Sequence, residues 1–331
     1  MQCEVKGQFG TERKIKILEL FGGIGAPRRA LMNIGVDVKS IDYVEIDQKA
    51  VNSYNAMFKN EMQHKTQTVV GYNLKPDILI HGSPCQDFSI AGYQKGADEG
   101  SETRSSLMWE TIHIIEQMGV WKPRVVIWEN VKNVTSKHMI VNFNRYMQEM
   151  EKLGYTSSFQ CLNAMEFGLP QKRERVITVS MLGNERFEFD DLIKTPPPDI
   201  KELLQNDEDV SEDYTVNQPS LLSCIGKTGV LKRLSIIDTF CYTITTRQDR
   251  APNSGVVKRK NGSYRFLTPL ECFRMNGFKD EDFFAAAGVN GKRELWKQAG
   301  NTMPVNVLES IFRKLLFNET QEIEEIQMKL L

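Results

Sequence analysis

Short apolar runs alternate with helical patterns through the first half of the chain. The runs KIKILEL (14–20), VKSIDYVEI (38–46), PDILIHG (76–82) and RVVIWENV (124–131) are rich in β-branched residues and predict strands. Between them, RRALMNIG, QKAVNSYNAMF and SSLMWETIHIIEQMG carry apolar residues at helical spacing, with Met108, Ile112, Ile115 and Gly119 marking one face of the third. Parallel strands need a long connection, which a helix supplies, so this alternation is the rhythm of a parallel sheet with crossover helices. A helix over 138–153 and the strands YTSSFQCLNA and ERVITVSML complete the pattern. The expected fold class is α/β, a doubly wound, mostly parallel sheet over residues 1–183.

The rhythm breaks after residue 183. An acidic stretch with Pro196, Pro197 and Pro198 predicts a linker or exposed loop. Short strands such as DTFCYTITT and GSYRFL, with turns at NSG and NG, then predict a second, smaller domain poor in helix over 184–266. LTPLECFRMNG has a capped helix start, with Thr268 as cap, Pro269 in the first turn and Glu271 three residues after the cap. In PVNVLESIFRKLLF, Val305, Leu308, Ile311 and Leu315 share one helical face, so the segment 267–331 is expected to return to the first domain.

Composition sharpens the picture only in places. With 331 residues, 40% hydrophobic and 26% charged, the chain has the balance of a soluble globular protein. No run approaches the roughly 18 to 20 apolar residues of a spanning helix, and MQCEVKGQFGTERK lacks the apolar core of a signal peptide. A cytoplasmic protein without membrane contact is expected. The six cysteines form no CxxC pair and the four histidines sit at no ligand spacing, so no metal site is expected. A net charge of −1 hides a segregation. Residues 185–213 hold eleven acids and three bases, whereas 226–268 hold nine bases and two acids. The basic segment is either a solvated surface or a phosphate-binding face.

Candidate chemistry clusters at the predicted strand ends. In FGGIGAPRR, Gly23 and Gly25 allow a tight turn and close backbone approach to a ligand. Arg28 occupies the place of a third glycine, so a dinucleotide cradle is incomplete. Glu45 ends the second strand, where a carboxylate can accept bonds from ribose hydroxyls, and a nucleoside-type cofactor fits better than a dinucleotide. In DILIHGSPCQDFS, Cys85 follows the strand's carboxyl end in a polar loop, which favours a reactive thiol over an inert core cysteine. Glu129 of WENV is expected at the same sheet edge, a pairing suited to covalent catalysis with general-acid help. Residues 87–106 predict a lid over Cys85. QKRER opens a strand, so Arg173 and Arg175 are expected on one face, either solvated or binding an oxyanion or phosphate.

Together FGGIG, GSPCQ, ENV, QKRER, LTPLECFRMNGF and QAGNTMPVNV, in this order from residue 20 to residue 307, resemble the motifs of the DNA cytosine methyltransferases that modify ring carbon 5, of the bacterial or phage type. The resemblance implies a Rossmann-like methyltransferase fold, S-adenosylmethionine as cofactor and a target-recognition region between about 184 and 264. It implies that Cys85 attacks carbon 6 of a flipped cytosine, that Glu129 holds or protonates nitrogen 3, and that Arg175, with Arg173, contacts the base carbonyl. Carbon 5 then takes the methyl group. Phe21, Gly23, Gly25, Glu45, Ile46, Leu107 and Asn301 would line the cofactor pocket. Ser89, Arg104, Arg247, Lys258, Arg259 and Lys260 are the expected nucleic-acid contacts, since extruding a base costs a few kcal/mol that DNA contacts must supply. Thr245, Thr246, Arg247 and Gln248 could face base edges.

The chain departs from the family in three ways. HKTQTVVGYNL offers no aspartate for the cofactor adenine, Ile46 replaces a frequent aromatic residue, and Glu19 and Thr302 replace a common aspartate and serine. The expected partner is duplex DNA, the expected state a monomer, and the expected role protection from a separately acting restriction endonuclease. Three readings compete. A relative of the family methylates transfer RNA and carries Cys-Phe-Thr where this chain has Cys241, Tyr242 and Thr243. A non-catalytic DNA-binding protein of the same fold would be expected to have lost the catalytic positions, all of which are present. A dinucleotide-dependent dehydrogenase gives GSPCQ no role.

Overall fold

The computed structural model describes residues 14–59, 63–69, 74–83, 107–227, 234–250 and 252–320. The apolar runs form β1 (Ile15–Leu20), β2 (Val38–Val44), β3 (Ile78–His81) and β4 (Val125–Val131). They are followed by β5 (Tyr155–Asn163), β6 (Gln171–Lys172) and β7 (Glu174–Leu182). The main sheet has the order β2-β1-β3-β4-β7-β5. β1 pairs in parallel with β2 and β3, and β3 with β4, while β7 runs antiparallel to both β4 and β5. Within this sheet β7 alone is therefore reversed, as a mostly parallel sheet requires. Ile78–His81 is buried throughout, which is why residues 78–80 read as an unbroken apolar run, whereas the edge strand β5 buries only Tyr155, Ser158 and Leu162.

Helices α1 (Ala26–Asn33), α2 (Gln48–Met57), α3 (Leu107–Gln117) and α4 (Ile140–Lys152) lie where the helical spacing places them. The remaining helices are α5 (Pro219–Leu222), α6 (Pro269–Arg274), α7 (Asp280–Ala287), α8 (Lys292–Asn301) and α9 (Val305–Phe317). The capping box of α6 is formed: Thr268 Oγ1 accepts from Glu271 N–H at 3.2 Å, and Glu271 Oε2 accepts from Thr268 N–H at 2.8 Å. The return of α9 is also observed, since it packs on α1 and buries Val305, Leu308, Ile311 and Leu315. α7 packs on α2, and a buried ion pair joins Arg29 to Asp282.

Residues 184–266 are poor in helix, as expected. Pairing there is confined to β8 (Cys241–Tyr242), beside β6, and to the antiparallel pair β9 (Val257–Lys258) and β10 (Tyr264–Arg265), plus isolated bridges. Phe187, Leu192, Val216, Ile237, Ile244 and Val256 belong to the same buried apolar cluster as Ile15, Ile17 and Ile311. The segment therefore shares its core with the sheet.

The acidic stretch is not the linker or exposed loop expected from its composition. It has three short 3-10 turns (Ile200–Glu202, Asp207–Asp209 and Glu212–Tyr214) and folds onto the basic segment. Arg259 Nη1 lies 3.0 Å from Glu212, Lys260 Nζ 2.7 Å from Glu208 and Arg265 Nε 3.7 Å from Asp207. Opposite charges separated in sequence are thereby brought together in space.

Candidate active site

The parallel strands end at one edge, and the expected cofactor residues gather there. After β1 the chain turns with φ of 55° at Phe21, 54° at Gly23 and 77° at Gly25. The two glycines do different work. A Cβ at Gly25 would stand 2.5 Å from the Phe58 ring and 2.6 Å from the Tyr54 ring, whereas no described atom lies within 4 Å of a Cβ built at Gly23. Gly25 thus lets the turn press on an aromatic platform, in which Tyr43 and Tyr54 stack at 3.9 Å, whereas Gly23 leaves free space beside its α-carbon while its N–H donates to Glu45 and its carbonyl accepts from the Tyr43 hydroxyl. Glu45 Oε2 accepts from Gly23 N–H at 3.0 Å and its Oε1 from Asp47 N–H at 2.9 Å, so backbone bonds aim the carboxylate and leave lone pairs for further donors. Beside it Ile46 is 71% exposed, an apolar surface at the strand end.

The last helices reach this edge through α8. Lys297 Nζ pairs with Asp47 Oδ2 at 2.7 Å, and Ser53 donates to Gln298 Oε1 at 2.9 Å. Burial opposes ionisation of Asp47, but the Lys297 ammonium and the Lys49 N–H outweigh it and hold its carboxyl below the usual range. α8 is thereby fixed to the start of α2, and exposed Asn301 ends it one turn beyond Lys297. Leu107, half-buried, begins α3.

Glu129 and Arg175, expected to be catalytic, pair across β4 and β7. Arg175 Nε lies 2.9 Å from Glu129 Oε1, with the two side chains only 15% and 13% exposed, and Arg175 Nη1 donates to the Glu174 carbonyl at 2.8 Å. A Cβ at Gly82 would stand 3.8 Å from Glu129 Oε2, so the carboxyl end of β3 meets this pair three residues before Cys85. Ser83 is buried and accepts from Trp128 Nε1 at 3.1 Å. Behind it His81 stacks on Trp128 and contacts the Tyr146 hydroxyl at 3.0 Å; burial lowers its pKa to about 3, so the ring is neutral at physiological pH. Cys85, Ser89, Arg104 and the expected lid 87–106 lie outside the described residues.

Several expectations need correction. Arg173 does not share the role of Arg175, because the strand breaks at Arg173, between β6 and β7. Its guanidinium is buried and donates to the carbonyls of Ile244 at 3.0 Å, Gly300 at 3.1 Å and Thr302 at 2.7 Å, which rules out the solvated or base-facing role. Arg259 is 6% exposed and committed to Glu212 and to the carbonyls of Val210 and Ser211, so it is no phosphate contact. Lys260 is exposed but paired with Glu208. Gln248 is buried, accepting from Ser254 Oγ at 2.7 Å and donating to the Thr245 carbonyl at 3.2 Å, so it faces no base. Arg247, Thr246 and Lys258 remain exposed.

Sequence reasoning overlooked the aromatic platform and Gln171. Buried Gln171 accepts from Ile244 N–H at 3.0 Å and donates to the Met275 carbonyl at 2.8 Å. The spacing of Tyr54 and Phe58, one turn apart, and the alternation Gln171, Arg173, Arg175 were the available signals. Among the described cysteines, Cys241 and Cys272 are buried, and burial pushes the Cys241 thiol up to about 12, which leaves it protonated and unreactive near neutrality. No cluster of metal-ligating side chains occurs among the described residues, and no described helix is long and apolar enough to cross a membrane.

Known proteins show the same assembly. The family model for C-5 cytosine-specific DNA methylase matches residues 15–316. The type II methyltransferase M2.ScrFI of Lactococcus lactis subsp. cremoris is 31% identical, over 91% of this chain and 99% of its own. M.NgoBI of Neisseria gonorrhoeae is likewise 31% identical, over 89% of this chain and 91% of its own. Among solved structures, the Entamoeba histolytica methyltransferase EhMeth superposes with a TM-score of 0.74 at 20% identity, covering 93% of this chain and 99% of that one. Spodoptera frugiperda DNMT2 superposes with a TM-score of 0.73 at 18% identity, covering 92% of this chain and all of that one. With its motifs in order on the expected sheet and its relatives matched nearly end to end, the chain belongs to the C-5 cytosine-specific DNA methylases and is a DNA (cytosine-5-)-methyltransferase.

Proposed function

We propose that this enzyme methylates carbon 5 of a cytosine flipped out of a specific sequence in duplex DNA, through a transient covalent bond to Cys85. The observation that carries the reading is the Glu129–Arg175 pair beside Gly82, three residues before the thiol. The Cys85 thiolate adds to ring carbon 6, while Glu129 protonates or holds nitrogen 3 so that the ring accepts the electron pair. Arg175 aligns the Glu129 carboxylate and has donors left for the base carbonyl. Carbon 5, now enamine-like, takes the methyl group; loss of its proton restores the double bond and expels the thiolate.

The residues at the strand ends suit S-adenosylmethionine. Gly23 leaves room beside its α-carbon for a close approach, Glu45 has acceptor capacity for two ribose hydroxyls, and Ile46 offers an apolar face to a planar ring, with Phe21, Leu107 and Asn301 completing the wall. When bound, that cofactor supplies an electrophilic methyl group on a sulfonium centre. Arg247 and Lys258 bind the DNA backbone, and Thr246 stands with Arg247 on the exposed loop. We further propose that the enzyme acts as a monomer in the cytoplasm of a prokaryotic or phage-infected cell, and that methylation protects DNA from a separate endonuclease, as suggested by the type II methyltransferases it resembles.

The test uses methyl-labelled S-adenosylmethionine with unmethylated plasmid DNA or with transfer RNA, followed by bisulfite sequencing of the product. Label confined to cytosines of the plasmid is expected. Label on transfer RNA alone would reassign the substrate, and no label on either would refute the activity.

A further inference from the structure

The motif QKRER holds one arginine in the pair with Glu129 and sends the other elsewhere. The buried Arg173 guanidinium bonds main-chain carbonyls of two segments distant in sequence, Ile244 on one side and Gly300 and Thr302 on the other. Ile244 precedes half-buried Thr245 and exposed Thr246 and Arg247, in the segment assigned above to DNA. Gly300 and Thr302 flank Asn301 at the carboxyl end of α8, where a cation also offsets the helix's unpaired carbonyls. The two segments also touch directly, because a Cβ at Gly300 would stand 2.5 Å from Thr245 C and 2.6 Å from Thr246 N. Gln171 fixes the same loop from the other side through Ile244 N–H. No step in the chemistry uses Arg173.

We propose that Arg173 is a positioning residue that couples the DNA-reading loop to the cofactor wall, so that DNA and S-adenosylmethionine strengthen each other's binding. This rests on the assignment of Asn301 to the cofactor pocket and of the 245–247 loop to DNA. The fork of one guanidinium sets the distance between carbonyls 244, 300 and 302, and a movement of either segment is felt by the other. Lysine keeps the charge but has no planar fork to span three carbonyls at once. Coupling is reciprocal by thermodynamic necessity, so each ligand must tighten the other by the same factor.

The experiment measures the Kd for S-adenosylmethionine with and without an unmethylated plasmid that the wild-type enzyme methylates, in wild type and in Arg173→Lys. In the wild type, DNA is expected to tighten cofactor binding by about tenfold. In Arg173→Lys that factor is expected to fall toward one, with the loss of activity falling more on KM for cofactor than on kcat. A wild-type measurement that needs no variant is amide exchange: cofactor alone slows exchange at 243–248, and DNA alone slows it at 298–303. If the wild type methylates the plasmid and the variant retains the full coupling, or if neither exchange effect occurs, the inference is overturned while the assigned activity stands. If the wild type methylates no DNA, the reading of the site fails and the inference fails with it.

Discussion

Replacing Gly23 and Gly25 one at a time by alanine should separate a ligand-facing glycine from a packing glycine two residues away. Both have positive φ, 54° and 77°, which costs an L-residue about 1–2 kcal/mol. Alanine recovers about 0.4–1 kcal/mol of that by restricting the unfolded chain. At Gly23 no described atom meets the new methyl, so Gly23→Ala should lose about 1 kcal/mol or less. At Gly25 the methyl would stand 2.5 Å from the Phe58 ring, and overpacking adds about 1–3 kcal/mol. Gly25→Ala should therefore lose about 2–4 kcal/mol, a fall in Tm of several degrees for a chain of this length. Binding should show the opposite order. The Gly23 methyl fills the space beside the turn that the proposed cofactor pocket leaves open and should weaken S-adenosylmethionine at least about tenfold, or about 1.4 kcal/mol. Thermal melting without ligand and titration calorimetry with S-adenosylmethionine read the two quantities independently. Equal Tm losses in the two variants, or wild-type affinity in Gly23→Ala, would refute the division of roles.

Cys85→Ser should abolish methyl transfer and leave DNA and cofactor affinity largely intact, and duplexes with 5-fluorocytosine at the target should trap the wild type irreversibly; absence of a trapped species in denaturing gels would disprove the covalent step. Lys258→Ala should reduce the slope of log affinity against log salt by about 0.9, whereas Arg259→Ala should lower Tm and leave that slope unchanged. Glu271→Gln should cost about 3 kcal/mol in urea unfolding, because Arg265 and Glu271, 1% and 0% exposed, are joined by two bonds of 2.8 Å, and the change removes the nearer, fully buried counter-charge and leaves the guanidinium only Asp207 at 3.7 Å. His81 protonates at about 3 in the folded chain and near 6.5 in the unfolded one, so its contribution to stability is present above pH 6.5 and lost as the pH falls toward 3. Between pH 6.5 and 5 the wild type should lose about 2 kcal/mol that His81→Gln does not, and equal losses in urea titrations at the two pH values would contradict the neutral buried ring.

Local pattern carried the sheet because a parallel strand buried on both faces must be almost continuously apolar, as residues 78–80 and 125–128 are. The same reasoning reached the capped start of α6 and the apolar face of α9, both of which depend on residues a few positions apart. α8 went unrecognised because its apolar positions are few, and α7 because its apolar residues, 283–287, are consecutive and show no helical spacing. DTFCYTITT pairs only at Cys241–Tyr242, since its remaining backbone bonds go to side chains such as Gln171 and Asn253.

What the amino-acid order determined alone was the family of motifs, the fold class and the identity of Glu129, Arg175, Glu45 and Gly23 as residues at strand ends, because strand direction and chain continuity bring those ends to one edge. Which basic residues are buried in ion pairs, which arginine meets Glu129 and which glycine packs against the aromatic rings were decided only in three dimensions. A charge can be neutralised by any opposite charge that folding brings within reach, as Glu212 does for Arg259. Likewise a buried guanidinium must satisfy its donors on whatever carbonyls surround it, and for Arg173 those carbonyls lie 71, 127 and 129 positions away along the chain.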